Sequence, residues 1–239
     1  MSGPAGERRE TVVIDACYCG PPESGNGGYS AGLLGTRLPG TPEVRLHRPP
    51  PLDRPLTLRC GEETGELLDR ETVVASARPG AIEGELPPAP TLAEASAAAR
   101  DYLGFEAHTF STCFVCGPER SPADGGLCIY PGPVPGTDRV AAPWQPADAL
   151  ADGSGHVRPI YLWSALDCPS GFGAMGRNPA PVVLGTITVQ IAAPLPAGRP
   201  CVVAGWPIRT SGRKHYAGSA IYTADGEPVA RASTIWIAL

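Results

Sequence analysis

No basic block interrupts this sequence: 19 lysines and arginines are set against 24 acids, and the net charge is −5. That excludes the clustered cationic footprint of a nucleic-acid binder. No uninterrupted apolar run approaches the length of a membrane span. The opening stretch MSGPAGERRETVV carries no apolar core of a secretory signal. The expectation is a soluble, cytoplasmic chain with neither nucleic acid nor membrane as partner. Charged residues are only 18% and apolar residues 42% of the 239, enough to build a sizeable core as one large domain or two small ones.

A metal-ligand set is also incomplete. Without a signal, the eight cysteines are expected as reduced thiols rather than a disulfide framework. Cys17 and Cys19 are close, and Cys113-Phe-Val-Cys116 has metal-ligand spacing, but Cys128, Cys168 and Cys201 are distant or isolated in sequence. The expectation is therefore no metal, with Cys113 and Cys116 leading from a strand into the turn CGPERSPADGG.

What is abundant is glycine and proline, 30 and 29 residues, mostly between short apolar runs. That pattern predicts many short strands with punctuated turns. ITVQIAA alternates, with Ile187, Val189 and Ile191 on one face and Thr186, Thr188 and Gln190 on the other. The runs 200–209, 216–228 and 229–239 continue the strands, with a hairpin turn at TADG, 223–226. Helices are expected after the glycines of GNGGYSAGLLG (25–35), in TLAEASAAARDYLGF (91–105), where Thr91 and Glu94 have capping-box spacing, and in YLWSALDCPSGFGAM (161–175). The last of these holds Asp167 amid Trp163, Leu166, Cys168 and Phe172. A carboxylate in such surroundings is expensive unless something pairs with it. Pro169 removes the bond to the Ala165 carbonyl, so the helix should kink or stop beside the acid.

The chain repeats itself weakly. VRLHRPPPLDRPLTLRC (44–60) resembles ITVQIAAPLPAGRPCVVAG (187–205), and ETVVASA (71–77) resembles EPVARAS (227–233), each after an expected helix. Each half then reads as strand, helix and three or four strands, an α+β arrangement.

Three stretches carry a resemblance to a known family. FSTCFVCGPERSPADGGLCIYPG (110–132) resembles the opening of hotdog domains of the PaaI-like thioesterase group. NGGYSAGLLG resembles the Gly-Gly helix start of hotdog thioesterases. YLWSALDCPSGFGA, TITVQIAAPL and SAIYTADGEPVARAST resemble, in order, the C-terminal half of acyl-CoA thioesterase II. The resemblance implies a tandem (double) hotdog fold, with two antiparallel sheets each wrapped around a central helix. Residues 1–83 would form the N-terminal half, 84–109 a linker with an Ala-rich helix, and 110–239 the C-terminal half.

In such enzymes one half offers Gly-Gly at a helix start and the other a helix carboxylate, which within one domain falls nine residues after the residue preceding Gly-Gly. Here Asn26 precedes Gly27 and Gly28, and the acid position is Gly35; Asp167 is present in the second half, where Arg158 and Pro159 replace the Gly-Gly start. Each half keeps what the other lacks, which implies one composite site per chain.

The resemblance implies hydrolysis of an acyl-CoA or acyl-carrier thioester without a cofactor, in a monomeric pseudo-dimer or a homodimer. Asp167 would be the general base, and Gly28 N–H, with Gly27 or Tyr29, the oxyanion site. Asn26 is the helix cap alone, or cap and carbonyl contact together. The family's Thr falls near Leu184–Thr188, so Thr186 and Thr188 are both candidates; its Gln falls near Thr234, with Gln190 as a substitute. Trp163 joins the substrate-binding candidates, and Arg213 and Lys214 are candidate contacts to the CoA phosphates. His156 reads as a loop residue and Cys168 as packing. A hotdog hydratase or dehydratase would pair the acid with a histidine, and none is well placed in sequence; a non-catalytic acyl or small-ligand binder is the third reading.

Overall fold

In the computed structural model of the chain, residues 7–176 and 181–239 are described; residues 1–6 of the N-terminal half and 177–180 of the C-terminal half lie outside them. The first half runs β1 (Arg8–Val13), α1 (Gly27–Gly35), β2 (Pro42–Leu46), β3 (Pro55–Cys60), β4 (Gly65–Asp69) and β5 (Thr72–Pro79). The connecting segment holds α2 (Leu92–Ala99). The second half runs β6 (Gly132–Pro133), β7 (Val140–Trp144), α3 (Pro159–Met175), β8 (Val182–Ile191), β9 (Cys201–Ser211), β10 (Lys214–Thr223) and β11 (Pro228–Ala238).

The expected pair of sheets is one sheet. Among the described residues its eleven strands run in the order β1-β3-β4-β5-β2-β8-β11-β10-β9-β7-β6. Outward from the centre, β2, β5, β4, β3 and β1 mirror β8, β11, β10, β9 and β7, which gives the sequence repeat its spatial form. The halves meet where β2 and β8 pair antiparallel, Glu43 with Thr188, Val44 with Ile187 and Arg45 with Thr186. Each of these strands would otherwise be the open edge of its half, with unpaired backbone groups that another strand satisfies. On β8, Ile187 and Val189 are buried as the alternation predicts, whereas Ile191 is exposed and Thr188 is buried. The β10–β11 hairpin turns at Asp225-Gly226, where Gly226 has φ +88°, a left-handed conformation that glycine adopts without strain.

α1 holds four glycines in nine residues, each costing about 1 kcal/mol relative to alanine in a helix. Packing explains them. Gly28, Gly32 and Gly35 lie on one face, and a Cβ at each would meet Trp163 of α3: its carbonyl at 2.6 Å, its Cβ at 3.0 Å and its indole ring, respectively. The bare face lets α1 lie against α3, and Trp163 fills the space beside Gly35.

α3 begins with Pro159, whose missing N–H would be without an intrahelical partner there anyway. It does not stop at Pro169 but continues to Met175. Hydroxyls support it: Ser170 Oγ donates to the Asp167 carbonyl at 2.7 Å, and Ser219 Oγ of β10 to the Leu166 carbonyl at 2.6 Å. Trp236 Nε1 donates to Ser170 Oγ at 2.9 Å. Beyond the proline, Gly173 lies so close to β9 that a Cβ would stand 2.5 Å from Trp206 N. This packing on the sheet holds the helix across its missing bond.

α2 is shorter than expected, but Thr91 and Glu94 do form the reciprocal capping box. Its buried Ala95 and Ala98 belong to a second, smaller core with Val202, Ala204, Trp206, Ala220 and Tyr222. The α2 helix of the connecting segment is therefore packed chiefly on β7, with β6 and β9 beside it. No described helix is long and apolar enough to cross a membrane.

Gly35→Ala should lower the free energy of unfolding by about 1–3 kcal/mol through overpacking against the indole. In urea denaturation, Trp163→Phe should cost less in the Gly35→Ala background than in the wild type; additive losses would mean that the two positions do not share this space.

Candidate active site

The first turn of α1 meets the middle of α3 from the other half. Asn26 caps α1, its Oδ1 accepting from Tyr29 N at 2.9 Å, while its Nδ2 donates to Asp167 Oδ2 at 2.8 Å. Gly28 N donates to the same Oδ2 at 2.8 Å. Asn26 is thus cap and carboxylate partner at once. The approach needs glycine: a Cβ on Gly28 would stand 2.6 Å from Asp167 Cβ. Asp167 is 2% exposed, and its Oδ1 has no partner among the described residues.

Burial pushes the Asp167 carboxyl up from 3.8 to about 7. The Gly28 N–H bond pulls it back down, the Cys113 thiol beside it raises it further, and the Asn26 amide again lowers it. The carboxyl lines a cavity of about 310 Å³, together with Asn26, Gly27, Cys113 and Cys168. Apolar side chains that include Phe172, Leu184 and Trp236 form much of the remaining wall.

The other sequence candidates divide. Gly27 lines the cavity, with Leu184 packed so closely that a Cβ would stand 2.8 Å from it. The N–H of Tyr29 is engaged by Asn26 and that of Gly28 by Asp167, so neither is a free oxyanion donor as expected. Gly27 is the first helical residue, and such an N–H has no intrahelical acceptor. Trp163 is buried against the α1 glycines.

Thr186 and Thr188 sit at the β2–β8 seam, where Thr188 faces Gly80. Gln190 Oε1 accepts from Arg231 Nε at 2.9 Å, and Thr234 Oγ1 donates to the Ala217 carbonyl at 3.2 Å. The structure does not bring these four to the carboxylate: β8 reaches the cavity through residues 182–185, nearer its start. Arg213 and Lys214 are exposed around the β9–β10 turn. His156 Nδ1 is 2.9 Å from Ser154 Oγ in a surface loop.

Arg48, unmarked by any sequence spacing, also lines the cavity. His47 lines it too, and so does His108, where the sequence offered no well-placed histidine. His108 Nε2 is 3.3 Å from Cys116 Sγ, and its Nδ1 accepts from Phe110 N at 2.9 Å. Cys168, isolated in sequence, stands beside Cys113 with sulfurs 3.7 Å apart.

The mirror position is different. There Arg158 offers no side-chain cap, its Nη2 donating to Tyr161 Oη at 2.9 Å; Pro159 has no N–H, and the space beside Gly35 holds the Trp163 indole.

No protein-family model and no curated protein matches the sequence. Solved structures do match in fold. A tesB protein of Mycobacterium avium subspecies paratuberculosis aligns with TM-score 0.64 at 11% identity, over 97% of this chain and 92% of that one. The acyl-CoA thioesterase II TesB2 of Mycobacterium marinum aligns with TM-score 0.62 at 13% identity, over 97% and 93%. A hot dog fold protein of Alicyclobacillus acidocaldarius aligns with TM-score 0.55 at 12% identity, over 100% and 95%. The chain thus has the hotdog fold of TesB-like proteins over nearly its whole length.

Because the folded Asp167 pKa of about 7 lies above the ordinary 3.8, the folded state holds the proton more tightly than the unfolded chain. The resulting stability is fully present below about pH 4 and is lost as pH rises through about 7, on the order of 4 kcal/mol in all. Asp167→Asn lacks this loss, while Cys113, Cys116, Cys168 and His108 around it are common to both proteins. Chemical denaturation from about pH 4 to 8 should show wild type losing stability against Asp167→Asn; parallel profiles would refute the raised pKa.

Proposed function

We propose that this chain is a thioesterase that hydrolyses an acyl-CoA or acyl-carrier thioester, with Asp167 as general base. The observation that carries the reading is the buried carboxylate of a cavity-lining residue, with one oxygen held by two N–H groups from the first turn of α1 and the other unpartnered. The shared fold with TesB-like proteins supports the same reaction class. We read residues 1–83 and 110–239 as two hotdog halves joined by 84–109, so one chain supplies both sides of the site.

Asp167 Oδ1 accepts a proton from water as the water oxygen adds to the thioester carbonyl. The tetrahedral intermediate collapses, the C–S bond breaks, and the proton passes from Asp167 to the departing thiolate. Water and thioester become carboxylic acid and thiol. A pKa of about 7 leaves a useful fraction of the carboxylate ionised at neutral pH while keeping it a competent base. The Gly27 N–H takes the oxyanion role at the positive end of α1. Arg48 at the cavity meets the anionic portion of the thiol carrier.

Two histidines line the cavity, and His47 has its Nε2 2.8 Å from Ser76 Oγ, so the hydratase or dehydratase reading falls to His108. Both of its ring nitrogens are already engaged, by Cys116 and by Phe110 N–H, which favours hydrolysis.

Thiol release from a panel of acyl-CoAs tests the reaction, with loss of enoyl-CoA absorbance as the competing signal. Asp167→Asn should lower kcat by about 10²–10⁴-fold. Asn26→Ala should lower kcat less and also cost about 1 kcal/mol of stability as a lost cap; full activity would leave Asn26 with its cap alone. Arg48→Ala should raise KM for an acyl-CoA but not for the matching acyl-pantetheine. An equal rise for both would remove Arg48 from carrier recognition.

A further inference from the structure

Three sulfurs that the hydrolytic reading does not use converge beside Asp167. Cys113 and Cys116 belong to one turn and Cys168 to α3; all three are buried, and their sulfurs lie within 4.8 Å of one another. Three thiolates 2.3 Å from a tetrahedral zinc stand about 3.8 Å apart. The Cys113–Cys168 separation of 3.7 Å already meets that spacing.

The turn has the form such a site needs. Gly117 N closes the turn on the Cys113 carbonyl at 2.9 Å, which brings Cys113 and Cys116 to one side of it. A Cβ at Gly117 would stand 2.5 Å from Cys113 N, so a side chain there would break the turn.

Each sulfur also faces an N–H donor. Asn26 Nδ2 is 3.9 Å from Cys113 Sγ and 4.0 Å from Cys168 Sγ, and His108 Nε2 is 3.3 Å from Cys116 Sγ. Such donors stabilise negative thiolates and orient them. His108 is a donor rather than a ligand for a definite reason. Its Nδ1 accepts the Phe110 N–H, so the proton of the neutral ring sits on Nε2 and no lone pair remains there for a metal.

We propose that Cys113, Cys116 and Cys168 form a binding site for one thiophilic divalent ion, zinc by its preference for tetrahedral thiolate sets, with the fourth position open to the cavity. This inference is independent of the hydrolytic reading and stands whether or not the chain cleaves thioesters.

Cobalt(II) titrated into the reduced, chelator-treated full chain tests it. One equivalent should produce a thiolate-to-cobalt charge-transfer band and the visible bands of a tetrahedral ion, and one equivalent of zinc should abolish both. Cys113→Ser and Cys168→Ser should each lose the charge-transfer band while retaining the wild-type far-ultraviolet circular dichroism; Cys201→Ser, away from the cluster, should keep it. His108→Ala should keep it with affinity weaker by roughly 10–100-fold. Absence of the band in reduced wild type, or its survival in both Cys113→Ser and Cys168→Ser, overturns the site. Loss of the band in His108→Ala overturns the three-sulfur assignment. If either serine variant misfolds, zinc protection of the three thiols in wild type from a thiol reagent decides the matter, and unprotected thiols overturn the proposal.

Discussion

The first turn of α1 presents two N–H donors, from Asn26 and Gly28, to one oxygen of a carboxylate carried by the other half. That contact sets the demands on both helices. It requires α1 to approach α3 at backbone distance, which accounts for glycines that propensity alone would reject. It also requires a carboxyl group to be buried, which two neutral donors compensate only in part. The remaining electrostatic tension appears as a raised pKa and an unpartnered oxygen.

The surroundings of α3 explain why it tolerates Pro169. The proline deletes a bond beside Asp167, yet nearby carbonyls receive hydroxyl donors from Ser170 and Ser219. The helix is fixed on one side by glycine-smooth packing on the sheet and on the other by Trp163 against α1. Local strand and helix preferences here are subordinate to two tightly packed faces.

Much of this was legible in the sequence. The repeat pointed to the succession of strand, helix and further strands in each part of the chain, and the complementary placement of Gly27-Gly28 and Asp167 pointed to their pairing, because both depend on positions within one element. What was hidden depends on contacts between elements. Thr186 and Thr188 alternate as expected but sit at the seam, because β2 pairs with that part of β8. The first two N–H groups assigned to the oxyanion have acceptors that only the folded contact supplies. Cys168 was isolated in sequence yet lies beside Cys113, since α3 carries it across to a turn from another segment. Arg48 and His108 reach the cavity from loops, which have no periodicity to read.

The mirror position near Gly35 carries a broader consequence. In an assembly of two identical chains, any substitution changes both symmetry-related pockets at once, so a residue that would ruin a reaction centre cannot be used to strengthen the scaffold opposite it. Within one continuous chain, two positions mirrored across a sheet carry no such bond. Here one of the two mirrored positions holds an indole beside Gly35 and a proline at the helix start, and the other holds a buried carboxylate beside a cavity. Unlike chemistry at two mirrored positions, rather than economy of length, is what a single continuous chain makes available.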